Sequence, residues 1–300
     1  MPYNSRQYEY LFDQDSALTS LDQLSHGDVG RYRVCTITSG NVVEVEGYPI
    51  WRTRSAVARA KSNVTREAQL KQNEKNATKK FRRYVNTNFT TEDLSITLTF
   101  RGEPLDESRA WQDLKNYMAR IRRYRRRHGL CELKWIAVME TTGPEGKPTR
   151  IHFHVIMSGM DRDAAEELWG KGYANTRRLQ ADEYGFTALS MYMTKQAVRQ
   201  KWQRRWRSSR NLQPPKVTYA DHKISKRQVE QMAMDFESAP ATILLQKYPE
   251  CSLNYCEVKW SEFASGAYIY AHMYKTEEKH EAERPRPSGA IRRRRTEGPV

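Results

Sequence analysis

Nowhere in the 300 residues does an apolar run approach the roughly 18 residues that a membrane-spanning helix needs. The opening MPYNSRQYEYLFDQDS also lacks the basic start and apolar core of a signal peptide. The expectation is a cytoplasmic protein with no membrane partner. Cysteine is scarce: Cys35, Cys131, Cys251 and Cys256 are too few and too scattered for a disulfide scaffold, and none forms a C-x-x-C pair. Cys251 and Cys256 would need two further ligands to make a zinc site, so all four are read as reduced and structural. No internal repeat is present. Negative charge is in short supply, with 36 Asp and Glu against 51 Lys and Arg, a formal charge of +15 and a pI near 9.6. That imbalance favours a polyanionic partner, nucleic acid above all.

What is there is a chain long enough to bury a sizeable core, with strands and helices interleaved. Residues 1 to 88 read as an N-terminal extension. VCTITSG and NVVEVEGYPIW are two short strands about a Ser-Gly-Asn turn, and residues 52 to 84 are an exposed basic helix or helix pair ending in KKFRRYV, suited to phosphate contact. Leu94, Ile96, Leu98 and Phe100 alternate with Ser95, Thr97 and Thr99, the period of a half-buried strand. From Asp106 a helix follows, its stripe set by Trp111, Leu114, Met118 and Ile121, with Gly129 as its stop. CELKWIAVME and IHFHVIMSG are strands flanking a Gly/Pro loop; DRDAAEELW is a short helix, YANTRRLQ a strand and GFTALSMYMTKQAVRQKW a helix. Beyond Pro214 and Pro215, a helix near 225 to 237 precedes the strands SLNYCEVKW and GAYIYAHMY. Residues 89 to 215 are thus one catalytic-sized domain, 216 to 274 a C-terminal helix and strands packing on it, and 275 to 300, ending IRRRRTEGPV, a disordered basic tail. The class is α/β or α+β.

Three features carry chemistry. In IHFHVIM the alternation of a strand points His152 and His154 one way and Ile151, Phe153, Val155 and Met157 the other. Two neutral imidazoles side by side can hold two positions on a divalent cation. Glu140, at the end of CELKWIAVME, offers a carboxylate if the two strands pair. On the helix after residue 185, Phe186, Leu189 and Met193 form a buried stripe, while Tyr192, Lys195 and Arg199 line the neighbouring face. A phenol with a cation one turn away suits attack on a phosphate, because the cation favours the phenolate and grips the anion. Each feature alone has a plainer explanation: exposed histidines, a strand-end acid, a tyrosine at the edge of the core.

Taken in order, ITLTF, Glu140, IHFHVIM and YMTKQ resemble the HUH endonucleases, specifically the single-tyrosine rolling-circle replication-associated proteins of bacterial plasmids, prophages and phages. The resemblance spans residues 78 to 215, including FRRYVNTNF, ELWGKGYANTRRLQ and WRSSRNLQPP. It implies an α+β fold with a central antiparallel sheet of about five strands and flanking helices. It further implies Mg²⁺ or Mn²⁺ held by His152, His154 and Glu140, Tyr192 as nucleophile and Lys195 as its helper. Some relatives carry a second tyrosine four residues away; Ala188 and Gln196 stand at those positions, so this is the one-tyrosine form.

The function that follows from the resemblance is origin nicking of single-stranded DNA, with a 5′-phosphotyrosyl link and a free 3′-hydroxyl, and host helicase and polymerase as further partners. Two basic clusters would grip phosphates: Arg120, Arg122 and Arg123 in RIRRYRRR, and Arg199, Lys201, Arg204, Arg205 and Arg207 in RQKWQRRWRSSR. Trp202 and Trp206, four residues apart, either stack on bases or form a core-facing pair. A transposase or relaxase of the same fold, and a non-catalytic nucleic-acid-binding protein, are the alternatives.

Overall fold

The computed structural model describes residues 28–53, 66–102, 106–142, 148–195, 206–260 and 265–276. Among these are six helices and two antiparallel five-stranded sheets, an α+β fold. None of these helices is long and apolar enough to cross a membrane.

The first sheet joins both ends of the chain. The strands β1 (Val29–Ser39) and β2 (Val42–Trp51) form a hairpin; β2 coincides with NVVEVEGYPIW, while β1 starts at Val29, ahead of VCTITSG. Its turn needs Gly40 at φ 60°, where a side chain would run into the Asn86 carbonyl oxygen at 2.4 Å. These strands pair with three from the C-terminal part, β8 (Lys216–Asp221), β9 (Cys251–Trp260) and β10 (Ala267–Lys275), in the order β8-β1-β2-β10-β9. One face packs on helices α5 (Lys226–Met234) and α6 (Ala239–Lys247) through Val34, Val45, Ile269, Met232 and Leu244. The single sheet expected from the sequence is therefore one of two.

The second sheet, ordered β6-β3-β5-β4-β7, carries the residues of chemical interest. Its members are β3 (Leu94–Thr99), β4 (Trp135–Thr142), β5 (Pro148–Met157), β6 (Ala174–Arg178) and the two-residue edge β7 (Arg207–Ser208). β4 begins at Trp135 rather than at Cys131, so the lead-in 131–134 is not strand. The helix α2 (Glu107–Arg127), capped by the Asp106 side chain and stopped by Gly129 at φ 63°, lays Trp111, Leu114, Met118 and Ile121 on one face. That face also holds Leu94, Ile96, Leu98, Phe153 and Val155, as their alternation requires. Short α3 (Arg162–Glu167) closes the same layer, where Tyr117 donates from its hydroxyl to the Ala165 carbonyl at 2.8 Å.

The opposite face is covered as well. Ile136, Val138 and Ile156 lie under Phe81 and Val85 of α1 (Arg66–Asn88) and under Phe186 and Met193, which flank or belong to α4 (Thr187–Lys195). The expectation of an exposed basic helix is corrected here. Phe81, Val85 and the following Phe89 recur every four residues and are buried, and Arg82 and Arg83 are drawn in with them. Arg83 is 1% exposed, donating to Glu44 Oε2 at 2.6 Å and to Glu46 Oε1 at 2.8 Å. Arg82 pairs with Glu44, which also accepts from the Tyr270 hydroxyl. These arginines lock α1 to the first sheet, and burial at that junction leaves them no part in phosphate contact.

Candidate active site

The site is built by register. β5 is the central strand, and Glu140 on β4 stands directly opposite His152, with Val138 opposite His154. On the other flank Thr97 stands opposite His154 and Thr99 opposite His152. All point away from the α2 core. Because α1 and α4 cover only the half of that face lined by Ile136, Val138 and Ile156, the imidazoles emerge where the cover ends. His154 is 8% exposed and Glu140 6%, while His152 stands further out.

The ligating atoms converge. Glu140 Oε2 lies 3.0 Å from His154 Nε2 and 3.1 Å from His152 Nε2, and the three residues offer donor atoms all within 4.8 Å of one another. The far nitrogens are held too. His152 Nδ1 is 2.9 Å from the Arg150 carbonyl oxygen, an acceptor only, so this nitrogen carries the proton. His154 Nδ1 is 3.4 Å from Thr97 Oγ1. These contacts orient both rings, and the Arg150 carbonyl leaves His152 Nε2 as the lone-pair donor of the neutral imidazole. Burial lowers the pKa of His154, favouring the neutral ring, although its hydrogen bond to Glu140 pulls in the other direction. Two imidazole nitrogens and one carboxylate oxygen facing a common point fit a divalent cation and leave coordination positions open for a substrate. Thr97 was not singled out from the sequence, yet its alternation with Ile96 and Leu98 already put it on the histidine face.

Tyr192 reaches this point from α4. Its ring meets His154 edge to face, with centroids 5.3 Å apart and planes at 76°, and the residue is 55% exposed. Met193 and Ser190 on the same helix are buried, so packing fixes α4 while the tyrosine projects at the rim. The start of α4 is pinned from α1: Asn86 Oδ1 accepts the Phe186 N–H at 2.8 Å. Gly185, at φ 66°, permits this approach, since a Cβ there would sit 2.6 Å from Asn86 Oδ1. Lys195 is the final residue of α4.

The basic clusters are placed differently. Arg122 and Arg123 are exposed on α2, which covers the face of the sheet away from the histidines. Arg120 donates to the carbonyls of Leu168 and Trp169 at 2.7 and 2.8 Å, so its guanidinium ties α2 to the end of α3. Trp206 packs edge to face on Phe81 with centroids 5.4 Å apart, and the Arg207 guanidinium lies over the Trp111 ring at 4.2 Å. Arg199, Lys201, Trp202, Arg204 and Arg205 lie outside the described residues, as do positions 277–300 of the basic tail.

A His-x-His strand at the centre of an antiparallel sheet, a carboxylate in register on its neighbour and a tyrosine helix above define an HUH-type arrangement. Residues 93–197 match the family of the replication-associated protein ORF2/G2P. The match runs from β3 through α4 and contains Glu140, His152, His154 and Tyr192, so this segment is similar to replication-associated proteins. No curated protein and no solved structure gives a match to the chain.

Proposed function

We propose that the protein initiates rolling-circle replication by nicking single-stranded DNA at an origin, with Tyr192 as nucleophile. The observation that carries this reading is the contact of the Tyr192 ring with His154, whose Nε2 shares the Glu140 carboxylate with His152. A phosphate seated over the two imidazoles lies within reach of the phenol.

In this reading His152 Nε2, His154 Nε2 and Glu140 Oε2 hold Mg²⁺ or Mn²⁺. When bound, the cation polarises the non-bridging oxygens of the scissile phosphate and offsets the charge that builds in the transition state. Arg150 and Thr97 keep the rings turned toward it. The Tyr192 oxygen attacks phosphorus in line, the bond to the 3′-oxygen breaks, and a 5′-phosphotyrosyl ester forms. One proton leaves the phenol and one is taken up by the departing 3′-oxygen, exchanged through solvent at the half-exposed rim. The ammonium of Lys195 is assigned to the phosphate, favouring the phenolate. The ester conserves the energy of the phosphodiester, so a strand end can be rejoined without a nucleotide cofactor. The released 3′-hydroxyl primes a polymerase, with a host helicase opening the duplex ahead of it.

The test is a denaturation-resistant adduct between the protein and labelled single-stranded DNA carrying the region that flanks its gene, formed with Mn²⁺. Tyr192→Phe should abolish the adduct and keep binding, and His152→Ala should do the same. Binding without an adduct from the wild-type protein would leave a non-catalytic DNA-binding protein as the better description.

A further inference from the structure

The histidine face of the second sheet is roofed on one side only. α1 and α4 lie over Ile136, Val138 and Ile156, whereas Ser95, Thr97 and Thr99 of β3, on the far side of β5, are part-exposed. On the edge strand β6 the register sets Asn175 opposite Thr97 and Arg177 opposite Ser95, so both share the face of the imidazoles. Tyr173, two residues ahead of Asn175, continues this alternation: its carbonyl accepts from the Thr99 N–H at 2.8 Å and from the Thr99 hydroxyl at 3.1 Å. Its ring turns back along the strand, the hydroxyl accepting from Asn175 Nδ2 at 3.3 Å, and the residue is 67% exposed. Arg177 is exposed, and its guanidinium enters no ion pair or hydrogen bond among the described residues. The strands β3, β4, β5 and β6 contain a single carboxylate, Glu140. An open aromatic ring, an uncommitted cation and amide and hydroxyl groups with no acid among them suit a flat ring joined to an anion.

We infer that the single strand crosses this polar shelf beside the scissile phosphate, one base stacking on Tyr173 and one phosphate pairing with Arg177. The inference rests on the nicking reading, which puts the scissile phosphate over the imidazoles. Charge selects the occupant, since an apolar partner would bury Arg177 unpaired. Continuity selects it too: the row Asn175, Thr97, His154 runs unbroken from the shelf to the metal-ligand candidates. β6 lies two strand spacings from β5, about 10 Å. A stacked strand, at roughly 3.4 Å per nucleotide, covers that distance in about three nucleotides. A base held on Tyr173 therefore fixes which phosphate of the strand is presented to Tyr192.

The test is an abasic scan on the full chain carrying Tyr192→Phe, without divalent cation, so that binding is read apart from cleavage. Labelled single-stranded oligonucleotides from the region flanking the gene, each lacking one base, are titrated by fluorescence anisotropy. We expect one position at which loss of the base weakens binding on the order of tenfold. Tyr173→Ala, at an exposed site, should weaken the intact oligonucleotide by a similar factor and flatten the scan at that position. Tyr173→Phe keeps the ring and should keep the dependence. Arg177→Ala should weaken all oligonucleotides alike and reduce the slope of log affinity against log salt by about one. A flat scan in the parent, a scan that Tyr173→Ala leaves unchanged, or a Tyr173→Ala loss equally large on duplex DNA overturns the inference even if the wild-type protein forms its adduct. An unaltered salt slope overturns the phosphate contact. A dependence on Tyr173 in a protein whose wild-type form gives no adduct would overturn the nicking reading alone.

Discussion

Asn86 on α1 and Phe186 at the head of the tyrosine helix are joined by a buried hydrogen bond, the Asn86 carboxamide oxygen accepting the Phe186 N–H at 2.8 Å. The first backbone donors of a helix have no partner within it, so this one is supplied by another helix. Through it the placement of Tyr192 depends on α1, a segment that contributes nothing to the cluster of Glu140, His152 and His154. Asn86→Ala should lower the single-turnover rate of adduct formation about tenfold and stability by about 1–2 kcal/mol, leaving DNA affinity within a factor of two. Equal losses of rate and affinity would contradict a positioning role.

Among the described residues, Glu140 is the one acid in register with the histidine pair. Glu140→Gln keeps the size of the side chain but replaces a charged ligand with a weak neutral one. We expect Mn²⁺ affinity to fall by ~tenfold or more, measured by calorimetric titration, with the fold intact by circular dichroism.

Arg83 is almost wholly buried between Glu44 and Glu46. Its charge and that of Arg82 hold the Glu44 carboxyl well below the usual range against the opposing effect of complete burial. Arg83→Ala leaves two buried carboxylates short of a partner and should cost ~3–5 kcal/mol, read by denaturant unfolding. Replacing Arg83, Glu44 and Glu46 together with apolar residues should cost much less, because no stranded charge remains.

His272 on β10 is fully buried beside Tyr184 and Tyr255, and neither ring nitrogen has a hydrogen-bond partner among the described residues. Burial, helped by the nearby Arg82 charge, pushes its pKa down to about 4, while Glu44 and Asp182 act in the opposite sense. The unfolded chain takes up a proton near pH 6.5 that the fold refuses until about pH 4. The histidine's contribution to stability is therefore complete above pH 6.5 and lost progressively as the pH falls to 4. His272→Phe should flatten unfolding free energy across that window; an unchanged slope would assign the dependence to other groups.

Much of the site was legible because strand periodicity decides which side chains share a face. His152, His154 and Thr97 needed only alternation, and Glu140 needed only the correct partner strand. Tyr192 was singled out by the order of motifs alone, since half-exposed helical tyrosines are common, and the fold sets its ring beside His154. The first sheet was harder to see. Its strands come from segments separated by the whole second sheet, and nothing local to VCTITSG or GAYIYAHMY says that they are neighbours. The burial of α1 was concealed by its composition: Arg82 and Arg83 look solvated until Glu44 and Glu46, contributed by a distant hairpin, neutralise them. For the same reason Arg120 looked available for phosphate until two carbonyls at the end of α3 claimed its guanidinium.

The roof over the histidine sheet has a bearing on where the chain could be cut. Phe81 and Val85 precede the 93–197 stretch that matches the replication-associated family, and they shelter Ile136, Val138 and Ile156. A fragment trimmed to those borders would keep Glu140, His152, His154 and Tyr192 while baring an oily patch beside them. Removing the C-terminal strands instead would strip β10 from β2, the hairpin strand that carries Glu44 and Glu46 to α1. The smallest piece able to fold is accordingly wider than the recognisable motif on both flanks, and a fragment meant to hold Tyr192 beside the histidines should take α1 and its anchoring sheet along.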